Sequence, residues 1–374
     1  MQYSVYPIKD ATIYERKPDT NTGLDQIIEL EKISSKTTDS DNVYWGYNYN
    51  SRILLQIDTV EINRLIQNGT IKKSSKYYLN LFSAQSDNLS LAYSIYAYPV
   101  SQSWNQGRGY YISSPTIKEG VSWTYRDGYF GMTGKQWASS SFVAGTTGSF
   151  VTNKGGGNWY YQSGYVASQS FDQESPDIRM NITNIVHKWI SGSIQNNGLI
   201  IKRSHNDEKS SEEMGSIKFF GRETHTIFIP RLDIVWNDSD FSGTSLFSQV
   251  PNEDFVLHFK NKKASYYPTD KTKFRFLVRD RIPVKTYSTS SNYMSSKRLP
   301  TSSYYAIQDE QTSMYVVPFD DNNVISCDNK GNYFKVNFNT FLPNRYYKVL
   351  IKVKMDGGDI EKTIDDSIYF KVSK

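Results

Sequence analysis

Cysteine is almost absent. Cys327 stands alone among 374 residues, which excludes an intrachain disulfide and any cysteine-based zinc cluster, and fits a chain assembled in a reducing cytoplasm. The four histidines, His187, His205, His225 and His258, stand apart with no H-E-x-x-H pairing. No G-x-S-x-G turn offers a nucleophilic serine, and the glycines at 155–157 lack the Lys-Ser/Thr that completes a phosphate-binding loop. The acidic pairs Asp207-Glu208, Glu212-Glu213, Asp320-Asp321 and Asp365-Asp366 are adjacent, so on a strand they point apart, whereas glycoside cleavage needs two carboxylates flanking a cleft. They read as solvated loop residues. No apolar run approaches the ~20 residues that cross a bilayer, and Met1 to Pro7 show no basic stretch leading into an apolar one. The expectation is a soluble chain with no catalytic residues, no cofactor and no membrane partner.

Aromatic residues are abundant: 29 Tyr, 19 Phe and 7 Trp. Tyrosine fills half-buried sheet faces because its ring is apolar and its tip can still find a partner. Period-2 alternation recurs, placing Ile53, Leu55 and Ile57 opposite Arg52, Leu54 and Gln56. Tyr77, Leu79 and Leu81 repeat it, as do Leu89 to Ala97, Leu199 with Ile201, and Leu232, Ile234 and Trp236. Only two short helices are predicted. One is capped by Thr59 and stops at Asn68-Gly69; the other runs from Asn181 to Ser191 before Gly192.

Roughly half of the 23 glycines fall at about 101–170, with Trp104, Trp123, Trp137 and Trp159. That stretch is too long for a plain loop and predicts a small core of its own. No tryptophan follows Trp236, and Asn237 to Gly243 read as a polar turn or linker. Beyond it Phe255, Leu257 and Phe259, then Phe274, Phe276 and Val278, then Val349, Ile351 and Val353, and Ile368, Phe370 and Val372 open and close a second sandwich. The chain is therefore expected to be all-β. Residues 1–240 would form a jelly-roll-like sandwich carrying the aromatic, glycine-rich insertion, and 241–374 an Ig-like sandwich.

Candidate contact residues are of two kinds. Trp104, Tyr110, Trp123, Tyr125, Trp159 and Tyr160 could stack on a sugar; the alternative is that they, with Trp137, form a small aromatic core bracing the insertion or an intersubunit contact. Eleven Lys or Arg lie between Phe255 and Leu299, opposed only by Asp270 and Asp280. Among them Lys271, Lys273, Arg275 and Arg279 could dock an acidic neighbour or guard a strand edge. Asp238 with Asp240, or Asp39 with Asp41, could lend oxygens to a structural calcium ion, but two carboxylates are too few for a site.

A resemblance adds to this reading. Asp10-Ala11-Thr12-Ile13-Tyr14, Asn21-Thr22-Gly23, the strand Ser51 to Asp58, Ile95-Tyr96, Trp104, the stretch Ile178 to Ser191 and Asn196-Asn197-Gly198-Leu199 resemble, in order, the DNRLRE-type β-sandwich module. Some members of that family act as carbohydrate-binding modules. The insertion at 105–170 is larger than the simple module carries, and Asn181 replaces an expected Asp. The chain is also similar to virion structural proteins of marine and gut tailed phages. That likeness rests on segments such as Gly120 to Asp127, Gly155 to Tyr160 and Thr224 to Leu232. It implies a subunit of the tail, neck or head–tail ring, located in the virion and partnered by copies of itself and other virion proteins. A host glycan is the alternative partner, and direct DNA contact is not expected.

Overall fold

In the computed structural model, all residues are described except 40–41, 129–133, 139–154, 261 and 283–295, with side chains also left aside at 34–39, 42–48 and 356. Strands hold 46% of the chain and helices 8%, so the fold is all-β, of sandwich type. Two compact units form: Val5–Asp233, and Met1–Ser4 together with Ile234–Lys374.

Strand β1 (Gln2–Val5) is followed by β2 (Pro7–Tyr14), β3 (Ile27–Asp39), β4 (Asn42–Ile57), helix α1 (Thr59–Gln67), β5 (Lys76–Leu81), β6 (Ser83–Asp87) and β7 (Ala92–Pro99). Then come β8 (Tyr125–Asp127), β9 (Lys135–Gln136), β10 (Ala167–Asp172), β11 (Ile178–Asn181), α2 (Thr183–Ile190), β12 (Leu199–Arg203), α3 (His205–Lys209), β13 (Gly215–Phe220) and β14 (Arg231–Val235). The main sheet of the larger unit runs β10-β7-β12-β4-β3-β13-β6, with β2 also on β4, while β14, β5 and β11 lie side by side in a second sheet. β4 is long enough to serve three neighbours: its first half pairs β3, its second half β2 and β12.

The second half of β4 is buried on both faces, because the main sheet is covered on both. Ile53 and Leu55 line one face. On the other, Leu54 joins Ala11, Ile13, Tyr98 and Ile200 in a core closed by Trp104, Val121, Trp123, Trp137 and Trp159. The insertion thus has its own aromatic core, seated on the sheet. Its loops are pinned by Asn21. The Asn21 amide nitrogen donates to the carbonyls of Gln106 (2.7 Å) and Val121 (2.8 Å), and its oxygen accepts from Gly109 N–H (2.7 Å). A Cβ on Gly120 would lie 2.4 Å from the Gly107 Cα and 2.7 Å from the Asn21 amide, so this crossing requires glycine.

Local details differ from expectation for physical reasons. The cap of α1 is Asp58, whose carboxylate accepts from Val60 N–H; Thr59 is already helical. α2 starts at Thr183, because Asn181 ends β11 and its side chain accepts from the Thr183 N–H and hydroxyl. The run from Leu89 becomes strand only at Ala92, after a turn with Asn88 at φ 52°.

The smaller unit contains β15 (Phe255–Lys260), β16 (Ser265–Tyr266), β17 (Lys271–Asp280), β18 (Ser303–Asp309), β19 (Tyr315–Val317), β20 (Ser326–Asp328), β21 (Gly331–Asn337), β22 (Arg345–Met355) and β23 (Ile360–Val372). Its sheets run β15-β17-β21-β20 and β16-β23-β22-β18-β19. With no tryptophan available, Phe and Tyr fill the core. Tyr305 stacks on Phe334 (4.3 Å between centroids) and Tyr266 on Phe338 (4.4 Å). Residues 237–243 are not a free linker. Asp238 pairs with Lys335 (2.9 Å), Gly243 N–H donates to the Cys327 carbonyl (2.9 Å), and a Cβ on Gly243 would strike the Asp328 backbone.

Candidate functional site

Beside the insertion, the main sheet of the larger unit leaves an open groove of about 570 Å³ along β7 and β10, closed at one end by α3. Ser94, Tyr96, Ser170 and Asp172 form its floor, and Ser204 and Asp207 its end wall. Ser94 and Ser170 share a hydrogen bond of 2.9 Å across the two strands. The groove is therefore lined by hydroxyls, carboxylates and a few rings.

What fixes the end wall is a buried charge cluster. Glu208 on α3 accepts from Arg52 Nε (2.9 Å) and Nη2 (2.8 Å) and pairs with Lys202 Nζ at 2.7 Å. Arg52 also donates to the Gly156 carbonyl, and its guanidinium lies 4.7 Å from the Trp123 ring and 5.1 Å from Trp159. Burial opposes the charge on Glu208, but Arg52 and Lys202 outweigh it and hold the carboxyl below its ordinary range. Burial pushes the Lys202 ammonium down to about 8 against the pull of Glu208. At the other end of α3, buried Lys32 donates to the carbonyls of Asp207 and Ser210 (2.6 Å for the latter), a cation on the orphan carbonyls of a helix C-terminus. Ser204 caps the opposite end by accepting from Asp207 N–H (3.0 Å). One helical turn is held at both ends, with Asp207 facing the groove.

This corrects the reading of Asp207-Glu208 as a solvated pair: a helical turn sends Glu208 into the core. The sequence carried a signal that was missed, since Arg52 and the Lys202-Arg203 pair interrupt otherwise apolar strands. A buried cation needs a buried anion, and the sequence alone does not say which.

The aromatic candidates divide. Trp104, Trp123, Trp137 and Trp159 are all buried in the insertion's core, the arrangement that a bracing aromatic core requires. Tyr125, on β8, and Tyr160, stacked on Tyr165 at 5.9 Å, are half-buried. Tyr110 is exposed on a loop whose tip, Ile112, is 86% exposed.

The basic candidates share one strand face: Lys271, Lys273, Arg275 and Arg279 occupy alternate, outward positions of β17. One acid distant in sequence answers two of them. Arg275 makes two hydrogen bonds to Asp328 (2.8 and 2.5 Å), which push its carboxyl down to about 2, and Lys273 lies 3.9 Å from the same group. Lys273 and Arg275 also sit over the Tyr333 ring, at 4.4 and 5.1 Å. Lys271 and Arg279 have no ion pair among the described residues. Of the carboxylates weighed for calcium, Asp238 is paired with Lys335 and Asp240 accepts from Ser242 N–H (3.0 Å) and Tyr333 (3.3 Å). Asp41 and the Asp39 side chain lie outside the described residues. The histidines are not brought together: His187 meets Tyr77 edge-on at 5.8 Å, and His225 and His258 are exposed on different units. No protein-family model matches the chain, and no curated protein matches it either.

Proposed function

We propose that this chain is a non-catalytic structural subunit of a tailed-phage virion, in the tail, neck or head–tail ring, working through contacts with copies of itself and other virion proteins. The supporting observation is how the insertion uses its most reactive-looking groups. Its four tryptophans are packed inside, and the adjoining Arg52–Glu208–Lys202 cluster is saturated within the unit. What these residues produce is stiffness. A loop held by Asn21, with Ile112 and Tyr110 exposed at its end, loses little conformational freedom on contact, and this favours binding over turnover. The test is protein mass spectrometry and electron microscopy of purified particles. A fixed stoichiometry and an assigned position support the reading; a chain absent from mature particles and found free in the host sinks it.

The groove beside α3 favours a second reading, attachment to a host glycan. Ser94, Ser170, Asp172 and Asp207 can hydrogen-bond a polyol, and Tyr96 can stack on it. Glycan-array binding by the whole chain, lost on Tyr96→Ala or Asp172→Ala, would select this reading. The same result with Trp104→Ala would be ambiguous, because Trp104 is part of the core.

A further inference from the structure

We propose that β15 is a homodimerisation edge, at which two copies of the chain join their four-stranded sheets through antiparallel β15–β15 pairing about a twofold axis at Leu257. The proposal goes beyond the virion reading and does not depend on it, because a dimer in solution can be measured whatever particle holds the chain.

β15 is a sheet edge: it pairs with β17 on one side, in a regular six-residue ladder without a bulge, and no described strand pairs with its other side. Natural edges of this kind are blunted by proline, bulges or inward charges. β15 has none of these between Phe255 and Phe259. Instead the sandwich is incompletely closed there. Leu257 and Phe259 of β15, and Ile364 and Ile368 of β23, pack on the core yet remain partly exposed. A groove of about 430 Å³ runs beside them, with Lys262 and Asp366 at its rim. An added strand would complete this side.

A second β15 fits because the segment is self-complementary. Antiparallel pairing centred on Leu257 sets Leu257 against its own copy and Phe255 against Phe259, all on the inward face. On the outward face it sets Val256 against His258 and Asp254 against Lys260. Lys260 is exposed and has no ion pair among the described residues, and Asp254 is half-exposed beside Arg281 (2.8 Å). The twofold axis makes each of these contacts twice, except that between the two Leu257 side chains, which lies on the axis. Opposite charges and apolar pairs directly across an antiparallel ladder are favourable, and like charges there are not. Slipping the register by two residues would put His258 against its own copy and Val256 against Lys260. The apolar pairs therefore select the Leu257 register, since a two-residue slip in either direction leaves Phe255 or Phe259 without an apolar partner, and a slip of one residue would turn the apolar face outward.

The experiment uses the full chain in sedimentation velocity across about 1–100 µM, the range in which a contact worth roughly 6–8 kcal/mol is read. The wild type is expected to dimerise. Lys260→Asp and Asp254→Lys, each placing like charges opposite one another, should weaken the dimer by about tenfold or more, and the double swap should restore it. Both positions lie outside the core, so folding is not at stake. Leu257→Cys should cross-link to its own copy under mild oxidation, and His258→Cys should not. A monomer throughout the range, a dimer indifferent to the charge swaps, or cross-linking through 258 instead of 257 would overturn the proposal.

Discussion

Arg52 and Lys202 each break an apolar strand, and the structure answers both with one residue, Glu208. Replacing Glu208 by Ala leaves two cations in the core without an anion. Breaking a buried pair from one side costs about 3–5 kcal/mol, so urea unfolding of Glu208→Ala should show a loss of that order. Lys202→Met should cost less, because Arg52 keeps its two hydrogen bonds to the carboxylate. Glu31 poses the opposite problem. It is almost fully buried on β3, and burial raises its carboxyl to about 7 although Arg16 stands 2.8 Å away. Folding therefore takes up a proton between the ordinary carboxyl range near 4.5 and about 7. The contribution of Glu31 is most favourable below that window and declines as pH rises through 7. The difference in stability between wild type and Glu31→Gln should change by about 1–3 kcal/mol across the window, with the wild type losing ground at the higher pH.

At the scale of elements, the alternating runs were legible because each strand's apolar parity is set by the face it buries. β5, β12, β15, β17, β22 and the end of β23 all lie where the period-2 pattern places them. Less legible was anything decided by a partner distant in sequence. The insertion's core could be foreseen from its tryptophans, but not its seat on Leu54, Tyr98 and Ile200, because those residues read equally well as an ordinary sheet face. Nor could the cations of β17 be seen to share Asp328, which lies on another strand. Asn21 is the sharpest case: a short polar residue in a turn, it supplies four hydrogen bonds to the chain around it, three of them to the insertion. Asn21→Ala leaves the carbonyls of Gln106 and Val121 and the Gly109 N–H without that partner. Each buried orphan costs about 1–3 kcal/mol. Amide exchange at 105–128 should accelerate strongly in this variant, while exchange in β5 and β11 should change little.

The whole molecule is not partitioned as its sequence order implies. Met1–Ser4 belong to the same unit as Ile234–Lys374. Trp236 N–H donates to the Met1 carbonyl (3.0 Å), Gln2 Nε2 to the Val316 carbonyl (3.0 Å), and Ser4 N–H to Asn339 Oδ1 (3.1 Å). Such a first strand carries no mark of its allegiance, since Gln2, Tyr3 and Ser4 are neutral and fit either sheet. The smaller unit is thus closed by residues more than two hundred positions from the rest of it, a pairing with a large loop-closure cost. Ser4→Pro removes the N–H that reaches Asn339 and fixes φ in the middle of the strand. It should loosen the smaller unit first, with faster amide exchange at 315–317 and 337–341 and a lower unfolding midpoint for that unit, while β7 and β12 in the larger unit keep their protection. Equal loss of protection in both units would mean that they unfold as one body, and that the first strand stabilises the molecule as a whole.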